Sequence, residues 1–165
     1  MKNLTAVSAC LWLFCSSASS APVRTEVEVH GVGDAYAGAG VTIAWGVLRG
    51  ASESATLVVL RVAADPAAYR TVEVVGRNPF SQSERRILSP TPVSGRVEAR
   101  IPRASFADFP RTELRFARDS PASTAPAIVV YYLGVPDTTP EFQNEAALEA
   151  YLADRIERTR AAKTP

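Results

Sequence analysis

From Thr25 to Leu133 apolar residues recur at every second position, the period of a half-buried β-strand, with no stretch of helical spacing between them. Val27 and Val29 alternate with Glu26 and Glu28, and Val41, Ile43, Trp45 and Val47 alternate with Thr42, Ala44 and Gly46. Six further candidates follow: Ala55 to Val62, Thr71 to Val75, Arg85 to Leu88, Arg96 to Ile101, Thr112 to Ala117 and Ala127 to Leu133. Turn signals separate them at Arg49-Gly50-Ala51, Asp65-Pro66, Asn78-Pro79, Ser89-Pro90 and Ser120-Pro121. Strands in direct succession predict an all-β fold, a sandwich of about seven or eight strands resembling an immunoglobulin-like or fibronectin-type domain, with Trp45 in its core.

The spacing changes after Val135. Pro136 to Pro140 breaks the strand pattern, and Leu148, Leu152 and Ile156 then fall four apart with Tyr151 beside them, one apolar stripe on a C-terminal amphipathic helix. Either Thr139 before Pro140 or Asn144 before Glu145 suits its N-cap, and acids precede bases along it, as the helix dipole favours. The stripe predicts a helix docked on the sandwich, the alternative being an arm that binds a partner. The expected organisation is a β-domain over 21–135, a linker over 136–140, and a helix and tail over 141–165.

The first 20 residues read as a secretory signal peptide: Lys2, an apolar core from about Leu4 to Cys15, then small residues from Ser16 to Ala21. That core is shorter than the roughly 20 residues a bilayer span needs. Val7-Ser8-Ala9-Cys10 resembles a bacterial lipid-attachment motif, but the apolar run continues past Cys10 through Phe14, so cleavage between Ala18 and Ala21 is the expectation. Export would place the protein in the periplasm or outside the cell.

Cleavage would remove both cysteines, Cys10 and Cys15, and the one methionine, Met1. A chain left with His30 as its one imidazole has no ligand set for blue copper, Cys/His zinc or attached haem, and no cofactor is expected. Losing Lys2 turns 18 bases against 17 acids into an even balance, which argues against nucleic acid as a partner. About 145 residues would remain, enough for one core.

The glycines from Gly31 to Gly40 are not a phosphate loop. Gly31 and Gly33 fit the first two positions of a dinucleotide fingerprint, but Tyr36 stands at the third and a strand follows, where a helix is required. The segment is expected to be a flexible connection. His30 has no nucleophile or orienting acid in a recognisable motif beside it. Glu26, Glu28, Glu73, Glu98 and Glu113 read as solvated strand faces, which leaves no catalytic residue to nominate.

Two features point to binding. Gly76 to Gly95 is a long polar segment that carries Phe80 beside Pro79, the kind of loop that recognises partners. From Arg77 to Arg118 nine arginines stand against four acids. Phe80 with Arg77, Arg85 and Arg86 forms the expected partner-binding set, and its counterpart is another envelope or secreted protein with an acidic surface. The functional expectation is an exported, non-enzymatic interaction or accessory module. The alternatives are a carbohydrate- or small-ligand-binding domain stacking on Tyr36, Trp45 or Phe80, and a hydrolase working through carboxylates.

Overall fold

The computed structural model describes residues 24–29, 35–118, 128–133 and 139–162. The proposed signal segment, His30, Gly31 and Gly33 lie outside them. The chain forms β1 (Arg24–Val29), β2 (Ala35–Gly38), β3 (Val41–Leu48), β4 (Leu57–Ala64), β5 (Thr71–Arg77), β6 (Glu84–Pro92), β7 (Val97–Pro102), α1 (Ser105–Asp108), β8 (Arg111–Ala117), β9 (Ile128–Leu133), β10 (Glu141–Phe142) and α2 (Glu145–Ala161). One sheet has the order β1-β9-β8-β5-β6, the other β10-β3-β4-β7 with β2 also on β3. Both are antiparallel except where β1 meets β9 and β10 meets β3.

The alternation sorts side chains as the pleat requires. Ile43, Trp45, Val58, Leu60, Val97, Ala99 and Ile101 from one sheet share a single core with Val72, Val74, Leu114 and Phe116 from the other. Trp45 is completely buried, which removes it from any stacking surface, and Tyr36 packs partly buried against the same core.

Two strands were not expected. Ala35–Gly38, read above as part of a flexible connection, pairs with β3 through a turn at Ala39 and Gly40, both with positive φ (51° and 77°). A two-residue turn of that kind matches the twist of a hairpin, and glycine adopts it without strain. Glu141 and Phe142, read as helix, instead run parallel to Val47 and Leu48, with Val47 N donating to Pro140 O and Arg49 N to Phe142 O. β2 and β10 together cover the outer edge of β3. The helix therefore begins later, at Glu145, with Asn144 Oδ1 accepting from Ala146 N at 2.7 Å, so Asn144 and not Thr139 is the cap.

Ser89-Pro90, expected as a turn, lies inside β6. That strand borders the sheet, where proline costs no ladder bond, and its register with β5 shifts twice between Val72 and Val75.

Helix α2 lies on the face of β3 and β4 that points away from the main core. Leu148, Leu152 and Ile156 are buried there with Ala44 and Val59, flanked by Leu57, Phe142 and Tyr151. Gly46 permits the approach, because a Cβ at that position would stand 2.6 Å from Leu148 Cδ1. Each buried aliphatic side chain contributes about 1.5–3 kcal/mol. Among the described residues no helix is long and apolar enough to cross a membrane.

Candidate functional site

The segment from Gly76 to Gly95 is not the long loop expected from its polarity. Gly76 and Arg77 end β5, residues 84–92 form β6, and residues 78–83 make a compact hairpin turn. Asn78 organises that turn: its Oδ1 accepts from Phe80 N at 2.9 Å and from Ser81 N at 3.1 Å, while its Nδ2 donates to Asp108 O at 2.8 Å. Asn78 N closes the hairpin on Ser83 O, and Gln82, at φ 58°, donates from Nε2 to Pro79 O. Phe80 projects from this framework with 91% of its surface exposed. It is the one large exposed hydrophobic side chain among the described residues.

The three arginines grouped with Phe80 do not act together. Arg77 turns to the outer face of its sheet, where Nη1 meets Glu113 Oε1 at 3.1 Å and Nη2 meets Gln82 Oε1 at 3.3 Å. Arg86 pairs with Glu73 at 3.5 Å. Arg85 stands opposite Gly76 on the other face of the hairpin and has no ion-pair partner among the described residues.

Arg85 borders a cleft of about 130 Å³ at the edge where β6 and β7 meet. Ile87, Ile101, Pro102 and Phe109 line it, and Gly76 leaves its floor open. A Cβ on Gly76 would lie 3.1 Å from Phe109 Cβ. Thr112, only 1% exposed, and Ser105 complete the lining. Arg86 and Arg100 also belong to the lining, and no carboxylate among the described residues contributes to it. Because Asn78 is bonded to Asp108, next to Phe109, the Phe80 turn and the cleft wall form one hydrogen-bonded unit.

The arginine excess from Arg77 to Arg118 is largely used inside the fold. Arg61 bridges Glu98 at 3.1 Å and Glu149 at 2.7 Å; Arg96 also binds both glutamates, and Arg100 binds Glu98 and Glu145. Arg103 and Arg49 hold Glu141. Acids of the C-terminal segment thus neutralise a face of β7 that its alternation suggested was solvated, and the charges fasten α2 to the sheet. Burial raises the Glu98 pKa, but hydrogen bonds from Arg96, Arg61 and Arg100 outweigh it and hold the carboxyl at about 2.

Glu113 corrects the same expectation on the opposite sheet. It is completely buried between Arg77 and Arg115, whose Nη2 lies 2.8 Å from its Oε2, and Arg115 continues to Glu84 at 2.6 Å and Glu73 at 3.6 Å. Both Glu113 carboxylate oxygens are thus engaged by arginines of its own sheet. No group of three or more His, Cys, Asp or Glu side chains among the described residues is placed to hold a metal ion.

Of the residues nominated from the sequence, Arg85 and Arg86 belong to the cleft lining, Phe80 projects from the adjoining turn and Arg77 faces Glu113. Sequence reasoning missed Phe109, Ile87, Ser105 and Thr112, which carry no local signal because only the meeting of β6, β7 and the start of β8 brings them together. No protein-family model matches the chain, and no curated protein and no solved structure matches it. Function must therefore be argued from the site itself.

Proposed function

We propose that this chain is an exported, non-enzymatic β-sandwich module that binds another envelope or secreted protein through the tip of the β5–β6 hairpin. The observation that carries this reading is Phe80, 91% exposed on a turn fixed by its own hydrogen bonds. A held aromatic ring loses little freedom on association, so covering it contributes to affinity at low entropic cost. Arg85, on the same hairpin, favours a partner with an acidic surface, and the leader-like residues 1–20 support an address in the periplasm or outside the cell.

The strand order supports the fibronectin-type branch of the sandwich architecture. Without β1, β2 and β10, one sheet runs β3-β4-β7 and the other β6-β5-β8-β9. The pairing of buried Glu113 with Arg77 and Arg115 favours a binding role over hydrolysis, and the burial of Trp45 weighs against a carbohydrate platform.

A photo-activatable benzoyl-phenylalanine at position 80, introduced into the full-length protein in its native host, tests the reading. A discrete protein adduct is expected from position 80. None is expected from position 67, in the exposed turn between β4 and β5 at the far end of the hairpin. Equal labelling from both positions, or no adduct at position 80, overturns it.

A further inference from the structure

The cleft bordered by Arg85 has a composition of its own. Ile87, Ile101, Pro102 and Phe109 give it apolar walls, Arg85, Arg86 and Arg100 belong to its lining, and no acid lines it among the described residues. At about 130 Å³ it is close in size to the roughly 150 Å³ cavity that accepts benzene, so it has room for one apolar side chain and little more. Arg85 at its mouth is free of ion pairs among the described residues. Thr112, almost wholly buried, and Ser105 are the hydroxyl-bearing residues of the lining. An apolar group joined to an anion suits apolar walls beside an arginine, whereas an internal side chain of a polypeptide would leave the guanidinium unanswered.

We propose that this cleft holds the apolar C-terminal residue of a partner polypeptide, with its terminal carboxylate on Arg85. The proposal rests on the reading of a protein partner at the hairpin tip and names the part of that partner which is bound. A chain end fits better than a free small acid because the Asn78–Asp108 hydrogen bond couples cleft and turn. An occupant that fills the cleft and also covers Phe80 must be longer than one residue. The planar fork of Arg85 suits a carboxylate, and Gly76 keeps open the space into which the side chain would enter.

The test uses the full-length protein and four fluorescent peptides, Gly-Ser-Gly-Ala-X, with Val, Leu, Ile or Phe as X. At least one should bind, read by fluorescence anisotropy. Amidating its C-terminus should weaken binding about 10-fold to 100-fold, the value of a charge-assisted hydrogen bond. Arg85→Ala should cause a similar loss, with Arg85→Lys recovering part of it; both should melt as the wild type does, since Arg85 is exposed. Binding of none of the four peptides, equal binding of the amide, or indifference to Arg85→Ala overturns the proposal. So does binding of free 4-methylpentanoate as tight as that of the peptide, which would make the cleft a small-acid site. If peptides fail while position 80 still captures a protein, the chain-end proposal falls alone. If a peptide binds while position 80 captures nothing, the hairpin-tip reading falls and the chain-end site stands.

Discussion

Truncating Leu152 measures how far the C-terminal helix belongs to the fold. Leu152 is completely buried and sits in the middle of the Leu148, Leu152, Ile156 stripe, against Ala44 and Val59. Replacing it by alanine removes most of that contact and leaves a cavity between helix and sheet, because rigid strands relax only partly. The cost for buried leucines of this kind is about 3 kcal/mol, within a range of about 2–5 kcal/mol. For a domain of this size that corresponds to a fall in melting temperature of roughly 10 °C. Thermal and urea melts followed by circular dichroism give the change directly. A cooperative transition displaced as a whole is expected, since α2 also joins the sheet through Arg61, Arg96 and Arg100. A variant melting within a degree of the wild type would refute the reasoning and make α2 an appendage.

Two other outcomes follow from the charges. Glu113→Leu leaves Arg77 and Arg115 beside a buried site without its carboxylate, and equilibrium unfolding should show a loss of about 3 kcal/mol; a neutral result would mean the arginines reorient to water. The Glu98 pKa is lower in the folded state than the ordinary carboxylate value. Its stabilising contribution is therefore present above about pH 4.5 and fades as pH falls through about 2. The acid limb of a stability titration should flatten in Glu98→Gln, and an unchanged limb would remove Glu98 from the account.

Alternation determined what the sequence could determine by itself. The pleat places residues i and i+2 on one side, so strand faces, the burial of Trp45 and the apolar stripe of α2 were legible from neighbours along the chain. An exposed Phe80 was legible too, because Asn78-Pro79 is a turn signal that needs no distant partner. Tertiary structure alone decided which charges meet. Arg61 and Glu149 are 88 residues apart and Arg96 and Glu149 are 53 apart, so a run of arginines that looked like an exposed basic surface became the fastening of a helix. The cleft at Arg85 belongs to the same class: β6 and β7 border different sheets, and the side chains between them acquire a shared environment only when the two sheets close on one core.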